Sequence, residues 1–394
     1  SSGSEGNAPA FAWTPDADSI VFWAEGKLRR VEIDSREVRE IPVHVAASKK
    51  IQAALRFPVE VAPDRIRIRM PRWMQKSPTD ETIVFQALGY LYITTSGAEP
   101  RRLTRQDDHY EFWPSFSRDG RWVAYTTWND QQLGSVRVVS VRGGDSRVLT
   151  PRPGHYVEPR FSPDGGTVVY REFSGGYLLS PLWSLEPGIY AVSARGGEPL
   201  RISRSGRDAH FGSANDRVFF STGAGEGKLA LKSVDEAGQD ERTHLSGDQV
   251  TEFKVAPDGR WVAFTQQYNA FVAPFTATGR SVDLSSGSKS IPVRQVSKRA
   301  GESLHWSGAS DELRWSHGPT LFARALRDAF SFLEGSPEEL PDPVETGFEL
   351  NFELASDRPD GTIVLTGARI VTMRNAHETR EVIENGVVLI EGNR

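Results

Sequence analysis

Short runs of alternating apolar and polar residues recur along this chain, separated by stretches rich in Gly, Pro, Asp and Ser. Tyr90-Leu-Tyr-Ile93, Val136-Arg-Val-Val139, Ile189-Tyr-Ala-Val192 and Leu229-Ala-Leu-Lys232 are representative. Period-two alternation of β-branched and aromatic side chains predicts strands. Ahead of each run stands a copy of one phrase, clearest as Pro114-Ser-Phe-Ser-Arg-Asp-Gly-Arg-Trp-Val-Ala-Tyr125, Pro159-Arg-Phe-Ser-Pro-Asp-Gly-Gly-Thr-Val-Val-Tyr170 and Phe253-Lys-Val-Ala-Pro-Asp-Gly-Arg-Trp-Val-Ala-Phe264. The phrase reads as a hairpin. Pro presets φ at the second turn position, Asp accepts from backbone nitrogens just ahead, and Gly takes the positive φ that closes the turn.

Weaker copies run from Phe11 to Trp23 and from Trp73 to Phe85, and degenerate ones from Phe211 to Phe220 and from Trp306 to Trp315. Their turn aspartates lie roughly 40 to 65 residues apart, the spacing of four-stranded blades with variable loops. After each hairpin come the third strand, a polar turn such as Gly97-Ala-Glu-Pro100, Gly143-Gly-Asp145 or Gly196-Gly-Glu198, and a short fourth strand: Arg101 to Thr104, Arg147 to Thr150, Leu200 to Ser203. The expected fold is therefore all-β, a β-propeller of four-stranded antiparallel blades, with a β-sandwich or open meander as the alternative. Counting copies gives seven blades, or six if the first belongs to a preceding unit.

Residues 1–9 read as a flexible N-terminal segment, 10–357 as the propeller, and 358–394 as the start of a further domain. Ile41 to Met70, with Ile41-Pro-Val-His-Val45, Val59-Glu-Val61 and Ile66-Arg-Ile-Arg69, reads as a fourth strand plus a linker. Strand character returns at Phe348 to Leu354, and Asp357-Arg-Pro-Asp-Gly361 marks a boundary. The N-terminus has neither initiator Met nor signal-peptide regions, and the chain stops directly after a strand pattern, so a fragment of something longer is expected.

The 394 residues have a globular composition and a formal charge of −5, with no basic stripe, so nucleic acid is not an expected partner. No apolar run approaches the ~20 residues of a membrane helix. With no cysteine, any metal would need His and carboxylate ligands. The eight histidines are isolated, with no His-x-His or His-Glu-x-x-His spacing, and no Gly-x-Ser-x-Gly elbow is present. No catalytic residue and no metal ligand is expected in this chain. Gly223-Ala-Gly-Glu-Gly-Lys228 lacks the Walker spacing and reads as a flexible outer hairpin.

Polar residues ahead of several first strands, namely His109, Glu111, His155, Glu158, His210 and His305, are candidates for binding at the mouth of a central channel; they could equally cap blade edges and satisfy backbone groups. If His109 and His155 are surface residues, replacing both should leave stability within about 1 kcal/mol. Trp122, Trp261, Tyr125, Tyr170 and Phe264 are expected to pack between blades.

The Ser-Pro-Asp-Gly blades resemble the TolB-like propeller repeat of bacterial periplasmic proteins, over about four fifths of the chain. Ile363-Val-Leu-Thr-Gly-Ala-Arg-Ile-Val-Thr-Met373, followed by Val382-Ile-Glu-Asn-Gly-Val-Val-Leu-Ile-Glu-Gly-Asn-Arg394, resembles the opening strands of metal-dependent amidohydrolases. That resemblance implies a small β-sandwich beside a catalytic (β/α)₈ barrel carrying a divalent metal, zinc above all. It also implies hydrolysis of C–N or related bonds by a bacterial protein. The propeller would then be a non-catalytic portion that screens substrates, docks partners or holds subunits together, with the barrel as its partner and a homo-oligomer as a further expectation. The metal ligands would lie beyond Arg394, which leaves this chain alone inactive. TolB-like proteins point to a periplasmic or secreted location. The alternative is a free-standing TolB-like propeller acting as a protein-interaction module.

Overall fold

The structure is a computed structural model, and it describes residues 11–50, 60, 63–95, 97–173, 186–357, 361–374 and 381–392. The expected N-terminal segment 1–9 lies outside them, as does most of Val59 to Val61. The chain divides into two compact units, Ser1–Val61 and Ala62–Arg394.

The first unit holds one four-stranded antiparallel meander: Phe11–Trp13, Ser19–Ala24, Lys27–Glu32 and Val38–Ile41. The fourth strand thus ends where Ile41-Pro-Val-His-Val45 was expected to begin it, because Pro42 cannot donate to the ladder. Within this sheet the buried Ser19 donates to Glu32 Oε2 at 2.8 Å and accepts from Arg30 Nε at 2.9 Å. Phe11, Trp13 and Trp23 are more than half exposed.

The second unit carries six meanders in chain order, here blades I to VI, whose first strands are Arg72–Lys76, Tyr110–Phe116, Tyr156–Phe161, Arg207–Phe211, Val250–Val255 and Glu302–Trp306. Each blade has four antiparallel strands; blade IV adds a fifth, Val282–Asp283, parallel to its fourth. The second strands show why alternating sequences stack this way, since successive side chains point to opposite faces. In Thr82–Ala87 of blade I, Val84 joins Val123 and Tyr125 of blade II, whereas Ile83 and Phe85 join Leu321 of blade VI and Phe352, which follows that blade's last strand. Blade II repeats the split: Ala124, between Val123 and Tyr125, packs with Val168 and Tyr170 of blade III. Six apolar clusters follow, one per interface, and the sixth joins blade VI to blade I and closes the ring. Fully burying one such side chain is worth about 1.5–3 kcal/mol.

The turn chemistry is as the phrase implies. In blade III, Ser162 Oγ donates to Asp164 Oδ1 at 2.6 Å, Asp164 Oδ1 accepts from Gly166 N at 2.9 Å, and Gly165 has φ +73°. Ser162 Oγ also accepts from Thr167 N at 2.9 Å, tying the turn to the second strand.

Two stretches differ from expectation. Arg65–Arg67 is no linker, for it pairs with Glu353–Ala355 from the far end of the ring. The run Phe348 to Leu354 accordingly divides, with Phe348–Glu349 forming the outer strand of blade VI. Sequence could not show this pairing because its halves lie nearly 290 residues apart. Beyond the ring, Thr362–Val371 and Val382–Glu391 form a two-stranded antiparallel ribbon.

Candidate functional site: the central channel

In every blade the pairing of first and second strands slips at one place, leaving a bulge. Non-glycine residues with positive φ sit in five of these bulges: Trp73 at 49°, Trp113 at 55°, Glu158 at 60°, Asp208 at 57° and Ser303 at 56°. A bulge bends its strand and re-aims the side chains that follow. The residue two positions on, Gln75, Ser115, Arg160, His210 and His305, and Lys254 in blade V, lines a cavity of about 150 Å³ to which all six blades contribute.

Several of these side chains bind the next blade. Ser115 Oγ donates to the carbonyl of Pro159 at 2.6 Å. His210 Nδ1 donates to the Asp208 carbonyl at 2.8 Å, while its Nε2 accepts from Val255 N at 2.9 Å. His305 does the same between the Ser303 carbonyl, 2.8 Å, and Lys76 N, 3.0 Å. These partners fix both rings as the neutral Nδ1–H tautomer. Burial pushes both imidazoles down to about 3, with Lys254 adding to the effect at His210. Neither histidine has a nitrogen left for a ligand.

Charge concentrates on blades II to V. Lys254 Nζ lies 3.4 Å from both Asp208 Oδ1 and Glu252 Oε1. Burial raises the Asp208 carboxyl, but Lys254 and Arg160 outweigh it and the net shift is downward. Glu252 is raised to about 6 by burial, against the opposing pull of Lys254. Arg118, in the turn of blade II, reaches across to blades IV and V, donating to the Gly212 carbonyl at 2.6 Å and the Pro257 carbonyl at 3.4 Å.

Of the residues singled out from sequence, the structure brings His210 and His305 to the cavity wall. Glu158, one bulge away, is bound bidentately by Arg171 at 2.6 and 3.1 Å and accepts from Asp208 N at 2.7 Å, a bond from blade III to blade IV. Glu111 is fully buried between blades I and II, accepting from Leu91 N and Gln106 Nε2 at 2.8 Å each and from Thr104. His109 is buried beside Asp108, 3.1 Å away, and His155 lies between the rings of Trp128 and Phe173. Burial lowers both of these histidines as well. All but His109 and His155 lie within first strands rather than ahead of them. Gln75, Arg118, Arg160 and Lys254 were not singled out; the Lys254 and Arg160 positions were visible in the repeat alignment, but the bulge that aims them inward carries no glycine to announce it.

Among the described residues no group of three or more His, Asp or Glu side chains could hold a metal ion. Among the described residues no helix is long and apolar enough to cross a membrane.

No family model matches the chain. A curated relative, the uncharacterized peptidase YuxL of Bacillus subtilis (strain 168), is 27% identical over 155 residues, 39% of this chain. That match spans only 21% of the peptidase's own length. Among solved structures, an oligogalacturonate lyase in complex with manganese gives a TM-score of 0.47 at 10% identity, covering 80% of this chain and 87% of the lyase. TolB from Acinetobacter baumannii gives 0.45 at 17% identity, covering 80% of this chain and 75% of TolB.

Proposed function

We propose that the propeller is the non-catalytic portion of a hydrolase acting on C–N or related bonds, of the amidohydrolase kind, and that it screens substrates or docks the catalytic barrel. The ribbon Thr362–Val371 with Val382–Glu391 carries this reading. It bears the Gly-Ala-Arg-Ile-Val-Thr-Met phrase on one strand and Ile-Glu-Asn-Gly on the other, the two strands expected to open the amidohydrolase sandwich. Val364, Val387 and Leu389 on it are 51%, 61% and 57% exposed. A lone two-stranded ribbon is marginal in water, so such apolar strands call for a further sheet to cover them. The peptidase among the relatives supports hydrolysis of a C–N bond in general.

The divalent metal that the resemblance implies finds no donor set among the described residues, and no catalytic step is assigned to them. When bound in a barrel it would activate water for attack.

Sequencing the reading frame past Arg394 and assaying its product tests the proposal. A His-x-His within about the next 30 residues, with amide hydrolysis abolished by a chelator, is expected. A stop codon at that point, or activity indifferent to chelation, would overturn it.

A further inference from the structure

Arg160 and Gln75 face the central cavity with their hydrogen-bonding capacity largely unspent. A guanidinium has five N–H donors. Arg160 uses one of them, Nη1, on the carbonyl of its own neighbour Pro159 at 3.0 Å, and no carboxylate pairs with it among the described residues. The nearby acids are engaged elsewhere, Glu158 by Arg171 and both Asp208 and Glu252 by Lys254. Gln75 is 8% exposed, lines the same cavity, and its side-chain amide has no partner among the described residues. Buried polar groups are ordinarily satisfied, so the open amide of buried Gln75, with the half-buried Arg160 guanidinium on the same cavity wall, marks a place for a ligand.

The surroundings define that ligand. Arg118, Arg160 and Lys254 line the cavity and, among the described residues, no carboxylate does, while the acids nearby, Asp208 and Glu252, are bound by Lys254, so the wall is positively charged. Lys76, also on the wall, is paired with Glu81 at 2.6 Å. His210 and His305 are committed to backbone groups and contribute no charge. Phe116, Phe161, Leu304 and Trp306 supply apolar wall. A planar guanidinium fork and an amide donor on the wall of one cavity match a carboxylate.

We propose that the channel of the six-bladed ring is a binding site for a small monocarboxylate with an apolar body, its carboxylate held by Arg160 and Gln75. The site belongs to the ring itself and stands whether or not a catalytic domain follows. Calorimetric titration of the full chain with benzoate, benzamide and inorganic sulfate at constant ionic strength tests it. Benzoate binds and raises the unfolding midpoint, whereas benzamide and sulfate do neither. In Arg160→Gln the benzoate affinity falls at least about tenfold, the loss of one charge-assisted contact, and in Gln75→Leu it falls by a smaller factor. Absence of benzoate binding, benzamide or sulfate binding as well as benzoate, or an R160Q protein with undiminished affinity would each overturn the proposal. The comparison of benzoate with benzamide uses the unaltered protein, so it decides the matter even if R160Q does not fold.

Discussion

At the scale of single residues, the channel histidines behave as pegs between blades. Each joins a backbone carbonyl of its own strand to a backbone N–H of the next blade, and each does so only when neutral. A free imidazole titrates near 6.5, whereas these two are held near 3, so on acidification the unfolded chain takes up protons that the folded chain refuses. Their contribution is complete above pH ~6.5 and shrinks as the pH falls, by about 1.4 kcal/mol per histidine one pH unit below that value. His244, near 4, adds to the same trend. His109 and His155, also lowered by burial, act in the same direction, and Glu252, raised from 4.5 to about 6, opposes it over that interval, one group against five. Denaturant titrations between pH 7.5 and 5 should therefore show stability falling with acidification. In the H210A/H305A double variant that slope should be much reduced. Stability at pH 7.5 should also drop by about 1–3 kcal/mol per site, the cost of an orphaned backbone donor. The surface role assumed for His109 and His155 on sequence grounds does not suit their burial. Replacing His155 by Ala should cost more than the ~1 kcal/mol of a surface change, because it empties the space between Trp128 and Phe173.

Among the elements, hairpins were the most legible from sequence and bulges the least. A Ser-Pro-Asp-Gly turn is local: its serine, aspartate and glycine carry the whole geometry, and all can be read within five residues. The bulges at Trp73, Trp113, Glu158, Asp208 and Ser303 impose positive φ on residues that, Asp208 apart, have no preference for it. Nothing in the chain's local chemistry marks them, which is why Arg160 and Gln75 escaped notice while the neighbouring histidines did not. Turn glycines allow a graded test. At Gly165 an added Cβ meets nothing within 4 Å, so Gly165→Ala pays only for the left-handed backbone, about 1 kcal/mol. At Gly120 the same Cβ would come 2.2 Å from Thr79 Oγ1 in blade I. Gly120→Ala should then cost about 1–2 kcal/mol more, as overpacking does. Urea unfolding of the two variants side by side checks the order.

For the whole molecule, the ring depends on a closing interface assembled from distant parts of the chain. Phe352 stands edge-on to Phe85 and Tyr92, with centroids 5.6 and 4.8 Å away, and Arg314 Nη1 donates to the Ser77 carbonyl at 2.8 Å. Blade count and ring closure were only partly readable, since seven copies of the phrase occur and the second unit closes its ring with six of them. Closure of the ring in the second unit also draws on the pairing of Arg65–Arg67 with Glu353–Ala355, a contact with no local signature. Truncating Phe352 to Ala should cost about 3–5 kcal/mol. It should also split the thermal unfolding of the ring into more than one step in calorimetry, whereas a variant that unfolds in a single transition at the original temperature would show that this seam does not hold the ring together.

Arg118 gives that ring something neighbour-to-neighbour packing cannot. Six wedges leaning on one another can still breathe, one diameter shortening as another lengthens, without parting any interface. A side chain rooted in blade II and bonded to backbone carbonyls of blades IV and V is a chord across the circle, and it stiffens that motion directly. Because the chord ends on carbonyls rather than carboxylates, acidification does not slacken it. Changing that residue would therefore act on the bore through a single side chain, leaving the six apolar interfaces between neighbouring blades in place.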